Sequence, residues 1–124
     1  MTDTIVSLQE ANIYVKKNLI LTGVNLHVQK NEFVYLIGKT GSGKSSLLRV
    51  LFGDIKLNQG EGNVAGFSLN KLKNKEIPFL RRKLGIVFQD FQLLGDRTAK
   101  DNLLFVLKAT GWNNKQKADD RINE

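Results

Sequence analysis

The chain has 124 residues, of which 41% are hydrophobic and 25% charged; this composition is typical of a soluble globular protein and allows at most one small domain. Because it has no cysteine, no apolar run long enough to cross a bilayer and no signal peptide, we exclude a disulfide framework and expect a cytoplasmic protein. Its net charge is +7, with basic clusters at 71–75 and 81–83 that lack interleaved aromatic residues; a solvated surface is favoured over nucleic acid, with anionic lipid headgroups left as an alternative.

The N-terminal part of the chain reads as a series of short β-strands. Residues 5–8 predict a first strand and residues 11–14 a second, followed by a turn through 16–18. Residues 24–28 alternate between apolar and polar side chains, which predicts a half-buried strand. Asn31 follows at a turn position, where asparagine can adopt left-handed backbone angles.

The most informative segment is Gly38–Ser45, which reads Gly-Lys-Thr-Gly-Ser-Gly-Lys-Ser. Glycines let the backbone wrap closely around a phosphate, and successive N–H groups can form a nest for an anion. The apolar run 33–37 predicts a buried parallel strand before the loop, and residues 47–52 predict a helix after it that ends at Gly53. Strand, glycine loop and helix form the context that a phosphate-binding loop requires, which disfavours an ordinary glycine-rich turn.

This loop predicts a site for the phosphates of a nucleoside triphosphate. Lys44 is expected to reach the β- and γ-phosphates, and the Ser45 hydroxyl is expected to bind Mg²⁺. The positive end of the following helix dipole adds to the attraction for an anion. The residues predicted to contact the nucleotide here are Gly38, Lys39, Thr40, Gly41, Ser42, Gly43, Lys44, Ser45 and Ser46.

Further elements are predicted beyond the loop helix. In chain order they are a glycine-punctuated turn at 60–62, a short strand at 64–67, a short helix beginning at 76–78, a second buried strand at 84–88, and helices over 100–109 and from 115 onward. The proline of the short helix lies in the first turn, where it is tolerated, and Gly111 stops the helix over 100–109.

From Arg81 through the second buried strand and beyond it, the residues match more than a phosphate loop. The matching groups are Arg81-Arg82, Phe88-Gln89-Asp90, Leu93-Leu94, Asp96-Arg97-Thr98 and Asp101-Asn102. Together with the loop they resemble the ATP-binding-cassette (ABC) ATPases, and within them the cell-division ATPases of the FtsE type. Lipoprotein-releasing and macrolide-exporting ABC ATPases are similar as well. The resemblance implies an α/β fold: a P-loop NTPase core with N-terminal antiparallel strands and the start of a helical subdomain.

The same resemblance implies a domain organisation and two further site residues. Residues 1–124 would be the N-terminal part of one ABC ATPase domain, with the nucleotide-binding core in 1–90 and the Q-loop and start of the helical subdomain in 91–124. Tyr14 lies where the family places an aromatic ring that stacks on adenine; a strand-edge aromatic is the alternative. Gln89 resembles the glutamine that binds Mg²⁺ and senses the γ-phosphate, so Lys44 and Gln89 are the implied catalytic residues.

Cofactors and partners follow from the family as well. The resemblance implies ATP and Mg²⁺, a homodimer of the intact ATPase, and an integral membrane partner of the FtsX type or an exporter permease, at the inner face of the cell membrane. Some apolar residues resemble the subdomain that docks on this partner, although packing within that subdomain explains them equally well. They are Phe91, Leu93, Leu94, Leu103, Leu104 and Leu107.

Three parts of the family pattern do not occur within these 124 residues: the Leu-Ser-Gly-Gly-Gln signature, the strand ending in Asp-Glu and the switch histidine. The resemblance places them beyond Glu124. Hydrolysis needs a group that orients or deprotonates water, so this chain alone is not expected to hydrolyse ATP, and binding without hydrolysis is the alternative function. A different phosphate-loop enzyme, such as a small kinase or a GTPase, is a further alternative; the kinase would need an acceptor pocket, and the GTPase is disfavoured because residues 113–116 do not match the guanine-reading motif.

Overall fold

The computed structural model describes residues 3–88 and 95–124. The chain divides into two compact units, residues 1–84 and 85–124. The first unit holds the β-sheet, the glycine loop and the helix after it, and the second holds two helices. The assignment of 1–90 and 91–124 to two parts of one ABC ATPase domain stays a prediction.

The first unit contains four strands, two α-helices and two short 3₁₀ helices within residues 3–84. In chain order they are β1 (Thr4–Val15), β2 (Asn18–Gln29), α1 (Lys44–Leu51), β3 (Gln59–Val64), β4 (Phe67–Ser68), 3₁₀ turns at Leu69–Lys71 and Asn74–Glu76, and α2 (Ile77–Arg81). The second unit contains α3 (Ala99–Ala109) and α4 (Lys115–Asn123).

The strands form one antiparallel sheet in the order β2-β1-β3-β4. Tight turns connect the neighbours: β1 and β2 join through Lys16 and Lys17, and β3 and β4 join through Ala65 and Gly66. Ala65 and Gly66 both have positive φ, 49° and 87°, as a two-residue hairpin turn with the sheet's twist requires. Asn31, after β2, has a φ of 68°, the left-handed angle predicted for it.

β1 is one strand where the sequence predicts two. Its register shifts between Leu8 and Ala11, both fully buried, and Glu10 between them has a φ of 47°. This is a β-bulge, which inserts a residue and breaks the alternation of side chains. The Asn25 side chain holds the bulge from β2: its Oδ1 accepts the Glu10 N–H at 3.1 Å, and its Nδ2 donates to Glu10 Oε1 at 3.0 Å.

The turn predicted at residues 60–62 is wrong, because these residues lie inside β3. Gly60 is needed there for close packing against the bulge. Its φ is 87°, and a Cβ at this position would lie 2.4 Å from the carbonyl oxygen of Glu10 and 2.6 Å from the Cα of Ala11. A glycine in a strand can therefore mark a close backbone approach as well as a turn.

The hydrophobic core lies between one face of the sheet and α1. Its buried members come from β1, α1, β3 and α2, from the segment between α1 and β3, and from the 3₁₀ turn after β4. They are Leu8, Ala11, Ile13, Leu47, Val50, Leu57, Val64, Leu69 and Leu80.

Helix α1 ends as predicted at Gly53, which has a φ of 82°. The Gly53 N–H donates to Val50 O at 3.2 Å, and the Asp54 N–H donates to Arg49 O at 2.8 Å. These two bonds are a Schellman motif, which occupies the last carbonyls of the helix. Arg81 of α2 adds a bond from Nε to the carbonyl of Phe52 at 3.1 Å.

The two buried strands predicted at 33–37 and 84–88 are not found; both segments are irregular. Phe33, Ile37 and Val87 are 82%, 88% and 88% exposed. A buried parallel strand exists only when neighbouring strands supply its hydrogen bonds and cover its faces. Within residues 3–88 and 95–124, no strand pairs with either segment, so their apolar composition alone does not make them strands.

The second unit confirms the two predicted C-terminal helices. Thr98 caps α3 by accepting the Asp101 N–H on its hydroxyl at 3.1 Å, and Asn114 Oδ1 caps α4 by accepting the Lys117 N–H at 3.0 Å. Gly111 ends α3 with a φ of 100°, as predicted. None of the helices in the described part of the chain combines the length and apolar character needed to cross a bilayer.

Candidate functional site: the glycine loop before α1

The predicted phosphate loop forms a compact turn directly before α1. Ser42 donates its N–H to Lys39 O at 3.0 Å, which closes the turn. Gly41 and Gly43 have φ values of 82° and 99°, angles that side-chain-bearing residues rarely adopt. Glycine is therefore needed at these two positions because the loop backbone adopts left-handed angles there.

The loop is tight at its base and open at its tip. A Cβ at Gly38 would lie 2.7 Å from Ser42 Oγ, and a Cβ at Gly43 would lie 2.9 Å from Ile20 Cγ2. At Gly41 a Cβ would meet nothing within 4 Å. The start of α1 thus packs against β2, while Gly41 in the middle of the loop has open space beside it.

Lys44 lies across this loop. Its Nζ donates to the carbonyl oxygens of Gly38 and Lys39, the latter at 2.9 Å. The first turn of α1 contains no acidic residue. The ammonium is therefore held over the loop by two neutral carbonyl oxygens, and no carboxylate within residues 3–88 and 95–124 forms an ion pair with it.

Backbone amides at the start of α1 add to this positive site. The first hydrogen bond of the helix runs from the Leu47 N–H to Gly43 O at 2.9 Å, so the N–H groups of residues 44–46 precede the helical ladder. The helix dipole places partial positive charge at the same end. The amides, the helix dipole and the ammonium together favour binding of a phosphate group. Ser45, the second residue of α1, is exposed, so its hydroxyl is accessible to a metal ion.

Tyr14 lies near the same site through the β1–β2 hairpin. It pairs with Leu19 across the hairpin, and the next residue, Ile20, is the one that closely approaches Gly43. Its side chain is half-buried, and its hydroxyl donates to Gln59 Oε1 at 3.3 Å. The stacking of Tyr14 on adenine stays a prediction, because these contacts give the position of the ring and not a contact with a base.

Gln89, the other predicted Mg²⁺ ligand, lies outside the described residues. The proposed pair of Ser45 and Gln89 therefore stays a prediction, as do the implied roles of Phe91, Leu93 and Leu94, which fall in the same gap. On α3, Leu103 is 50% exposed, whereas Leu104 and Leu107 are half-buried.

Sequence reasoning missed two residues next to Tyr14. Gln59 Oε1 accepts a hydrogen bond from Asn12 Nδ2 at 2.7 Å in addition to the one from Tyr14. Asn12 and Gln59 belong to adjacent strands and are register partners. Their separation in the sequence leaves no local signal, so only the strand register reveals the contact.

Comparison with known proteins defines the class of this molecule. A family model described as ABC transporter matches residues 21–124. The chain belongs to the ABC transporter family.

Its relatives include cell-division ATP-binding proteins and an ATP-binding cassette whose structure holds ADP and Pi. It is 42% identical over 95 residues to the cell division ATP-binding protein FtsE of Streptococcus pneumoniae strain D39, covering 77% of this chain and 41% of the relative. It is 41% identical over 98 residues to FtsE of Escherichia coli K12, covering 79% and 44%. Among solved structures, the dimeric, post-hydrolysis ATP-binding cassette MJ0796, bound to ADP and Pi, matches with a TM-score of 0.78 at 30% identity, covering 94% and 53%.

These matches confirm the predicted ABC ATPase fold with its N-terminal antiparallel strands. They also confirm the resemblance to the FtsE type. The chain spans about two fifths of the length of the curated relatives that it matches, 41% and 44% in these two cases.

Proposed function

We propose that this chain binds ATP with Mg²⁺ as part of an FtsE-like ATPase that couples ATP binding and hydrolysis to a membrane partner in cell division. The observation that carries the proposal is the loop 38–45, with its positive-φ glycines, its lysine ammonium held over loop carbonyls and its helix amides. The sequence identity of 41–42% to FtsE proteins supports the assignment to the FtsE type within the family.

In this function each loop residue has its own role. The backbone of residues 38–43 and the first amides of α1 hold the phosphates, while Lys44 moves from the loop carbonyls to the β- and γ-phosphates. The Ser45 hydroxyl and the Gln89 amide oxygen hold Mg²⁺, which supplies charge neutralisation at the phosphates. Tyr14 stacks on the adenine ring. The group that activates water is not among these residues.

The partners are proposed by analogy with the relatives. Two copies of the intact ATPase form a dimer around nucleotide, as the MJ0796 cassette is a dimer in its ADP-bound state. The membrane partner is an FtsX-type protein, with the ATPase held at the inner face of the cell membrane. An exporter permease of the lipoprotein-releasing or macrolide type is the alternative partner.

Calorimetric titration of the complete protein with MgATP tests the nucleotide site. Lys44→Ala should weaken binding about 10- to 150-fold, because it removes a charged hydrogen-bond donor to phosphate. Lys30→Ala is the control that also removes one lysine, since Lys30 is exposed and lies in the turn after β2, outside the loop 38–45. Equal affinities of the wild type and Lys44→Ala would refute the site.

Affinity purification from membranes tests the partner. The complete protein should retain an FtsX-type protein, and depletion of the ATPase from cells should block cell division. Retention of an exporter permease without a division defect would instead support the transport alternative. Tight nucleotide binding without phosphate release by the complete, partner-bound protein would support binding without hydrolysis.

A further inference from the structure

We propose that Gln59 is a positioning residue that holds the Tyr14 ring ready for the nucleotide base. The inference rests on the proposed adenine contact of Tyr14 and adds to it a residue from a different strand. It is carried by the shared acceptor Gln59 Oε1, which receives hydrogen bonds from both Asn12 and Tyr14.

The side chain of Gln59 is itself held in place by Asn12 of the adjacent strand β1. Asn12 Nδ2 donates to its Oε1 at 2.7 Å, and Asn12 Oδ1 accepts the Gly23 N–H at 2.9 Å. Because Asn12 uses its oxygen toward β2 and its amino group toward β3, its amide orientation is defined by both neighbours. We call this chain of hydrogen bonds, from Gly23 through Asn12 and Gln59 to Tyr14, the relay. It links Tyr14 of β1 to the neighbouring strands β2 and β3.

The relay limits the movement of the Tyr14 ring. One end of the side chain is fixed by the backbone of β1 opposite Leu19, and the other end is fixed by the hydroxyl bond to Gln59 at 3.3 Å. An aromatic side chain near a strand end otherwise samples several rotamers, and ordering it on binding weakens the affinity. Holding the ring beforehand removes part of this loss, which corresponds to about a two- to tenfold gain in affinity.

Paired variants of the complete protein test the relay. Gln59→Leu removes the acceptor and Tyr14→Phe removes the donor while keeping the ring. Each should weaken MgATP binding about two- to tenfold, and the double variant should be no weaker than either single variant, because both break the same bond. Gln9→Leu is the matched control, an exposed glutamine of β1 whose loss should change nothing.

A ligand without a base separates positioning from a general structural effect. Magnesium tripolyphosphate occupies the phosphate loop but cannot meet Tyr14, so Gln59→Leu should leave its affinity unchanged. If Gln59→Leu weakens tripolyphosphate as much as ATP, the residue acts on the whole fold and the inference is overturned.

Tyr14→Ala distinguishes this inference from the function on which it rests. If Tyr14→Ala weakens ATP binding while Gln59→Leu and Tyr14→Phe do not, the relay is overturned and the adenine contact stands. If Tyr14→Ala has no effect either, the adenine contact and the relay both fail, and nucleotide binding itself is judged by Lys44→Ala.

Discussion

The contact between Gly60 and the bulge at Glu10 gives the sharpest stability prediction. Gly60 and Gly66 have the same φ of 87°, but only Gly60 faces other backbone: a Cβ there would lie 2.4 Å from Glu10 O, and at Gly66 it would meet nothing within 4 Å. Gly60→Ala and Gly66→Ala therefore share the cost of left-handed angles and differ in the steric contact.

The two costs can be separated. A residue with a Cβ loses about 1–2 kcal/mol in left-handed angles, so this is the expected destabilisation for Gly66→Ala. Gly60→Ala must in addition push β3 away from β1, since backbone atoms cannot rotate aside, and overpacking of this kind adds about 1–3 kcal/mol. We expect a total of about 2–5 kcal/mol for Gly60→Ala, and the upper end of this span reaches the range of exceptionally severe substitutions.

Amide hydrogen exchange in β1 and β3 of the complete protein measures this difference, because it reports the local opening of the sheet. The free energy of opening should fall much more in Gly60→Ala than in Gly66→Ala. If both variants lose the same amount, the glycine at 60 is required only for its backbone angle, and the close approach to the bulge has no energetic role.

Two further predictions concern the core and a helix cap. Leu8→Ala, at a fully buried position, should destabilise the sheet by about 2–5 kcal/mol in the same exchange experiment, whereas Leu19→Ala, 49% exposed, should cost under about 1 kcal/mol; equal costs would contradict the assigned core. Thr98→Ala removes the side-chain acceptor at the start of α3 and should cost about 0.5–2 kcal/mol, seen as faster exchange of the Asp101 amide. Thr98→Ser keeps the acceptor and should leave that exchange nearly unchanged, so fast exchange in both variants would argue against the cap.

The parts of this fold that sequence could predict are those decided by neighbouring residues. Gly38–Ser45 specifies its own turn through glycine angles, and Gly53 and Gly111 end their helices through contacts within one turn. The C-terminal helices were predictable for the same reason, since their caps lie next to them.

The parts that failed depend on residues distant in sequence. Residues 33–37 have strand composition, but a strand is made by its neighbours, and none pairs with them in the described part of the chain. The glycine at 60 is typical of a turn in the sequence, because its actual partner, the bulge at Glu10, is visible only in the strand register. The role of Gln59 was hidden for the same reason: its contacts lie on β1, 47 residues away at Asn12 and 45 at Tyr14.

The exposed run 33–37 leads directly into Gly38, so a strand that paired with this run would constrain the direction from which the chain enters the phosphate loop. Strand pairing at 33–37 and nucleotide binding would then be coupled equilibria. By reciprocity, bound nucleotide tightens the new strand pairing by the same factor by which that pairing tightens the nucleotide. The affinity for MgATP would then report how completely residues 33–37 are paired with a neighbouring strand.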